Sequence, residues 1–282
     1  MSMSSHSLMC LDPFGFHRIA YAEWAGPPGA RTVICVHGLT RNGRDFDPLA
    51  EALSQNFRVV CPDMAGRGQS DWLEPQNVYG YPIYLNDVAQ LVARLGVEEV
   101  YWVGTSMGGL IGMLMAALPR TPIKRLVMND IGPVMAKEGI ERIATYVGKD
   151  PIFPDLTALE AYLRMVSASF GALSAGQWRH MAVHAARKRP DGTLGLHYDP
   201  RIAEPFKVGK FSDTNFWPQW DRIVCPTLTL RGAESDLLRA ADARAMTQRG
   251  PRSSLVEFAG VGHAPALMSG DQIAAVHTFL MG

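Results

Sequence analysis

A serine set between two glycines is the clearest sign of chemistry in this sequence. Residues 104–108 follow the pattern G-x-S-x-G, with Ser106 at the centre. A β-branched apolar run precedes them and a helical pattern follows. A serine at such a strand-to-helix turn is held in a strained backbone, with its hydroxyl exposed at the positive end of the helix. The pattern predicts a nucleophilic serine at position 106. The alternative is a glycine-rich turn with a bystander serine.

A nucleophilic serine needs a base, because an unperturbed hydroxyl is a poor nucleophile. Of the eight histidines, His263 has the most suitable surroundings. It follows the last predicted strand and precedes the last predicted helix, with Gly262 before it and Pro265 after it. From such a loop a fixed imidazole can reach Ser106, so we expect His263 to be the base.

The base in turn needs a carboxylate to orient it and to stabilise its cationic form. Asp236 is favoured, because it follows the penultimate strand and gives the chain order Ser, Asp, His. Asp130, at the end of the strand over 125–130, is the alternative acid, and Glu234 has a smaller claim. Each of them could instead be a solvated loop acid.

A glycine turn after an early strand predicts an oxyanion hole. Gly38 lets the chain turn so that the next amide, that of Leu39, points towards the site. The Leu39 and Met107 amides are the expected donors, each lowering the barrier by on the order of 2.7–4 kcal/mol. His37 is interpreted as a structural, hydrogen-bonding residue.

Around these residues, short apolar runs alternate with helical patterns. The runs predict strands over residues 18–24, 32–37, 57–62, 99–104, 125–130, 227–231 and 254–258. The helical patterns cover residues 48–54, 83–95, 107–118, 240–248 and 272–280. Continuous apolar runs, such as residues 33–36, are typical of strands buried on both faces of a mostly parallel sheet. The alternation predicts an α/β fold.

The alternation of strand and helix patterns is interrupted once, between residue 132 and about residue 218, by a stretch of helices and loops. Two capping boxes, Thr157 with Glu160 and Ser174 with Gln177, predict helix starts within it. We therefore expect three parts. Residues 1–132 form the first part of an α/β core, residues 133–218 form a helical cap, and residues 219–282 complete the core with the acid and histidine loops.

Together these segments resemble the α/β-hydrolase superfamily. The residues that carry the resemblance occur in the family's order and lie at 37–38, 63–70, 104–108, 231–236 and 262–263. The resemblance implies a mostly parallel eight-stranded sheet flanked by helices, with one antiparallel strand near the N-terminus. It also implies a helical cap inserted after the sixth strand, and a mainly structural role for the loop at residues 63–70.

Composition excludes several other classes of protein. The 27 Lys and Arg balance the 27 Asp and Glu, and 47% of residues are hydrophobic. A neutral chain gives no support for nucleic-acid binding. No apolar run reaches the length of roughly 18 residues that a membrane-spanning helix needs. The first eleven residues lack the features of a signal peptide.

The cysteines and the histidine pair at positions 180 and 184 give no indication of a metal or redox cofactor. Cys10, Cys35, Cys61 and Cys225 lack C-x-x-C spacing and are expected to be buried free thiols, as in a cytoplasmic protein. His180 and His184 could form a metal pair, but the sequence indicates no third ligand, so no metal is expected. The oligomeric state stays open.

The predicted function is hydrolysis of a small-molecule ester through an acyl-enzyme. Aromatic residues in the predicted cap favour small to medium apolar substrates. Serine at position 106 argues against the dehalogenases and epoxide hydrolases of this fold, which use aspartate. The alternatives are a carbon–carbon bond hydrolase or a lactonase and, less favoured, a perhydrolase or haloperoxidase, or a receptor that retains the three residues.

Overall fold

One eight-stranded sheet forms the centre of the computed structural model, which describes residues 3–75, 79–207 and 211–282. Its strands are β1 (Met3–Asp12), β2 (Gly15–Trp24), β3 (Thr32–Val36), β4 (Arg58–Pro62), β5 (Val100–Thr105), β6 (Ile123–Asn129), β9 (Thr227–Gly232) and β10 (Ser254–Phe258). They lie side by side in the order β1-β2-β4-β3-β5-β6-β9-β10. Within this described sheet β2 alone runs against its neighbours, and the other adjacent pairs are parallel. The expected α/β-hydrolase sheet is confirmed.

The helices of the described residues are α1 (Asp47–Leu53), α2 (Tyr81–Leu95), α3 (Met107–Ala116), α4 (Lys137–Ala144), α5 (Leu156–Val166), α6 (Ala175–Ala185), α7 (Trp217–Trp220), α8 (Ala240–Met246) and α9 (Gly270–Met281). The five helices predicted outside the 133–218 stretch are all present, with ends that differ by one or two residues. No helix in these ranges has the length and apolarity needed to cross a bilayer.

Both faces of the sheet are buried, which accounts for the continuous apolar runs. In β3, Val33 and Cys35 face a cluster that contains residues of α1 and α9. Ile34 and Val36 face the opposite cluster, which contains residues of α2 and α3. Since successive side chains of a strand point to opposite faces, a strand covered on both sides has no side chain that faces water, and apolar residues predominate in it. All four cysteines are buried free thiols.

The N-terminal strand corrects a prediction. The sequence pattern predicts no strand in the first residues. They instead form β1, which pairs with β2 along its whole length, from Met3 opposite Trp24 to Asp12 opposite Gly15. Because β1 is an edge strand and mostly exposed, its side chains carry little apolar pattern.

A segment over residues 131–226, named here the inserted segment, separates the neighbouring parallel strands β6 and β9. It contains α4 to α7 and a hairpin of β7 (Ala186–Lys188) and β8 (Leu194–Leu196). The Ser174–Gln177 capping box at the start of α6 is confirmed. The capping box predicted at Thr157 is wrong, because Thr157 already lies inside α5, which begins at Leu156. Asp155 caps this helix by accepting a hydrogen bond from the Ala158 amide.

Candidate active site

The turn between β5 and α3 forces Ser106 into an unusual backbone conformation. Its φ is 52° and its ψ is −113°, a region that non-glycine residues rarely occupy. The two flanking glycines are required by close packing. A Cβ on Gly104 would lie 2.2 Å from the Gly108 carbonyl oxygen, and one on Gly108 would lie 2.0 Å from the Val36 carbonyl oxygen. The turn therefore lies tightly on the sheet and presents the Ser106 hydroxyl at the carboxyl ends of the strands.

A hydrogen-bonded chain of three side chains starts at this serine. His263, in the loop between β10 and α9, has its Nε2 atom 3.0 Å from Ser106 Oγ. Its Nδ1 atom lies 2.8 Å from Asp130 Oδ2. The Asp130 side chain is completely buried, and that of His263 is 10% exposed. This geometry allows the imidazole to take the serine proton while the buried carboxylate stabilises the resulting cation.

The prediction that Asp236 contacts His263 is wrong. Asp236 lies beyond the end of β9 and pairs with Arg142 of α4, whose Nε bonds Oδ2 and whose Nη2 lies 3.0 Å from Oδ1. Burial, the largest single influence, would raise the pKa of Asp236, but the hydrogen bond from Arg142 and the Arg142 charge, with smaller contributions, together outweigh it and leave the pKa lowered. Asp130, the alternative acid, reaches His263 because β6 lies directly beside β5 in the sheet.

The loop after β9 still contributes to the hydrogen-bonded chain of side chains, through residues other than Asp236. The Gly232 amide donates to Asp130 Oδ1 at 2.7 Å, and the Ser235 hydroxyl donates to Oδ2 at 2.6 Å. A buried carboxylate needs such donors to offset its lost hydration. Ser235 was missed from the sequence, although it stands next to Asp236, because a loop serine carries no distinguishing pattern.

The two amides predicted to form an oxyanion hole lie beside Ser106. Leu39 follows Gly38, at which an added Cβ would lie 3.7 Å from Ser106 Cβ, and Met107 is the first residue of α3. Neither amide donates to a backbone acceptor within the ranges that the structure describes. First-turn amides of a helix have no partner within it, so the Met107 amide is available to a ligand.

His37 stays out of the hydrogen-bonded chain and supports the loop after β3. Its Nε2 accepts from the Met64 amide at 2.9 Å, and its Nδ1 lies 2.7 Å from the Gly38 carbonyl oxygen. Burial lowers the pKa of His37 to about 3, so the ring is neutral. These contacts agree with the predicted structural role.

A cavity of about 80 Å³ opens beside Ser106 and His263. Much of its wall comes from apolar and aromatic side chains of the inserted segment. These are Ile143, Tyr146, Tyr162, Leu163, Val166 and Phe170. Arg41 and Arg142 also line it, and no aspartate or glutamate is among the lining residues that the structure describes.

The structure places a third possible metal ligand, a carboxylate oxygen of Asp47, beside the two histidines of α6, contrary to expectation. One atom each of Asp47, His180 and His184 lies within 4.8 Å of the others. However, the Arg44 guanidinium bonds both carboxylate oxygens of Asp47, with Nε at 2.8 Å and 3.0 Å. Burial first, and then Arg44, lower the pKa of His184 to about 4. A metal ion would meet this fixed positive charge, so we assign none to the cluster.

Comparisons with known proteins find similar hydrolases. The family model described as alpha/beta hydrolase fold matches residues 31–267. A 3-hydroxybutyrate-oligomer hydrolase of Cupriavidus necator is 45% identical, over 98% of this chain and 97% of that protein. A 2-(acetamidomethylene)succinate hydrolase of Mesorhizobium japonicum is 26% identical over 82% of this chain and 81% of that one.

Two solved structures are similar over nearly the whole chain. An alpha/beta hydrolase from Novosphingobium aromaticivorans is 36% identical, covers 99% of this chain and 98% of its own, and gives a TM-score of 0.89. A hydrolase structure from Rickettsia typhi is 29% identical, with a TM-score of 0.91 and coverage of 100% and 99%.

Proposed function

This chain belongs to the α/β-hydrolase family, and from that premise we propose that it hydrolyses the ester bonds of short 3-hydroxybutyrate oligomers. The observation that carries the proposal is the Ser106–His263–Asp130 chain, which opens into a small, largely apolar cavity. The substrate class is supported by the 45% identity to an oligomer hydrolase over nearly the whole chain.

The reaction begins with attack of Ser106 Oγ on the ester carbonyl carbon. His263 Nε2 takes the hydroxyl proton, and Asp130 stabilises the imidazolium. The Leu39 and Met107 amides donate to the oxyanion. The bond from carbon to the alcohol oxygen then breaks, and His263 returns the proton to the departing alkoxide. Water, deprotonated by His263, attacks the acyl carbon. The bond from that carbon to Ser106 Oγ then breaks, His263 returns the proton to Oγ, and the acid leaves.

The cavity size supports a short acyl group. A single water needs roughly 10–15 Å³ of such space, so 80 Å³ holds only several waters. That volume suits an acyl unit of a few carbon atoms rather than a long fatty chain. We include in the proposal that residues 133–218 act as a cap, since many of the side chains that limit the cavity come from this stretch.

The test is hydrolysis of the linear 3-hydroxybutyrate dimer, followed by chromatography of the released monomer. Wild type should cleave it, and Ser106→Ala should be at least about 10³-fold slower, because the nucleophile is lost. Ser54→Ala, which removes a serine outside the cavity wall, is the matched control. Absence of dimer cleavage by wild type would refute the proposed substrate class.

A further inference from the structure

The charges in the cavity wall are all of one sign. Arg41 and Arg142 are among the lining residues, and the described part of the wall contains no carboxylate. A neutral ester needs no such charge, whereas a linear oligoester of a hydroxy acid ends in a carboxylate and is an anion at neutral pH. The wall therefore favours an acid-terminated substrate, a point that rests on the proposed function.

The two arginines differ in how firmly they are already paired. Arg41 bonds Asp45 through Nε and Nη2, both at 2.6 Å, and the two side chains are only 10% and 17% exposed. Breaking a pair that is withdrawn from water leaves two poorly hydrated charges. Arg41 is therefore committed to Asp45 and is a poor partner for a ligand.

Arg142 is paired where water reaches it. Its side chain is 37% exposed and that of Asp236 is 39% exposed. Water competes for both partners of an exposed ion pair and weakens it, even where, as here, the guanidinium makes two hydrogen bonds to the carboxylate. Because a ligand carboxylate would restore the same two hydrogen bonds, it can replace Asp236 there at little net cost. Because Arg142 lines the cavity and is also exposed, it lies where the cavity meets solvent.

We propose that Arg142 binds the terminal carboxylate of the substrate, which takes the place of the Asp236 carboxylate. The planar guanidinium can hold a carboxylate through two parallel hydrogen bonds. In the 3-hydroxybutyrate dimer this carboxylate belongs to the leaving alcohol, so the acyl unit occupies the cavity and the acid end points to its mouth. Arg142 thus selects free acids over their neutral esters.

The test compares the dimer with its methyl ester, in which a neutral group replaces the terminal carboxylate, and follows cleavage of the internal ester bond in both. In Arg142→Gln the ratio of kcat/KM for the dimer to that for the methyl ester should fall about tenfold, the lower end for a charge-assisted hydrogen bond at a partly exposed site. Arg249→Gln removes an arginine from a similarly exposed pair, with Asp221, outside the cavity wall and should keep the wild-type ratio. An unaltered ratio in Arg142→Gln would overturn the proposal.

Asp236→Asn tests the proposed exchange on Arg142 by removing the carboxylate that the substrate would displace. Removing the competing carboxylate should raise the preference for the dimer over its methyl ester severalfold. A lower preference would show that Asp236 itself helps to hold the substrate, and would contradict the exchange.

Binding measurements separate this inference from the proposed reaction. Titration calorimetry of the dimer into Ser106→Ala and into Ser106→Ala with Arg142→Gln needs no turnover. We expect binding about tenfold weaker in the double variant, because it lacks the charged partner. Equal affinities would refute the carboxylate site even if wild type cleaves the dimer, whereas a failure of cleavage alone would refute only the reaction.

Discussion

Asp130 is a charged group placed where water cannot reach it. Within the part of the chain that the structure describes, its carboxylate has three hydrogen-bond partners, namely the Gly232 amide, the Ser235 hydroxyl and His263 Nδ1. Such partners offset the hydration that a buried carboxylate loses. Their positions also fix the carboxylate, so His263 meets it in one orientation.

Substitution of the two aspartates distinguishes their roles. Asp130→Asn should lower kcat on p-nitrophenyl butyrate by about 10³- to 10⁴-fold, because the amide favours the wrong tautomer of His263. Asp236→Asn, which removes the same charge from the neighbouring loop, should lower kcat far less. Steady-state kinetics of both variants provide the measurement. Equal losses would contradict the assignment of Asp130.

The site residues differ in how well the sequence predicts them. Ser106 and His263 lie together as predicted, because glycines and strand ends mark both positions locally. The two aspartates both follow strands, so their local patterns are alike. The choice between them depends on β6 lying between β5 and β9, a pairing of distant segments that chain order does not reveal. Ser235 depends on the same pairing.

At the scale of single elements, helix starts in the inserted segment are set by individual polar side chains. Ser174→Ala and Asp155→Ala should each lower the free energy of unfolding by about 1 kcal/mol, because each removes an acceptor for a first-turn amide. Thr157→Ala should change it by less than about 0.5 kcal/mol, because Thr157 caps nothing. Urea unfolding of the three variants provides the comparison. A loss for Thr157→Ala equal to that for Ser174→Ala would contradict this account.

Strands were predictable where burial imposes a pattern. Every side chain of β3 is buried and all but Thr32 are apolar, whereas six of the ten residues of β1 are exposed. β1 is held by its ladder with β2 and by contacts with α2, such as the Leu11 amide donating to Gln90. Those partners are set by the fold, so the local residue pattern could not reveal them. The short hairpin β7–β8 was missed for the same reason.

At the scale of the whole molecule, burial of the neutral His37 ring should make the free energy of unfolding fall in acid. The folded-state pKa of His37 is about 3, against an ordinary value of 6.5, because burial disfavours the charged ring. Its contribution is therefore complete above pH 6.5 and is lost as pH falls towards 3. The stability advantage of wild type over His37→Gln should shrink by about 2 kcal/mol between pH 6.5 and about pH 5.

The stability of wild type must be compared with that of a variant, because protonation of another buried group, Asp63, changes the free energy of unfolding in the opposite direction. Burial raises the pKa of Asp63 to about 6, so the folded state gains stability as pH falls through that range. Urea unfolding of wild type and His37→Gln at each pH cancels this contribution, and His6→Gln, on the exposed edge strand, controls for loss of an imidazole. A difference that stays constant with pH would refute the account.

The position of the inserted segment divides the reacting groups between two stretches of chain. Ser106 and Asp130 precede it and His263 follows it, while the exposed turn at residues 191–192 lies inside it. A cut at that turn would yield two polypeptide fragments, neither of which carries all three side chains. Reassociation across interfaces such as the β6–β9 ladder, where Leu126 lies opposite Thr227, would be needed to bring them together again. The three side chains thus come from two stretches of chain that meet across the sheet, so that recovered hydrolysis would report reassociation of the fragments.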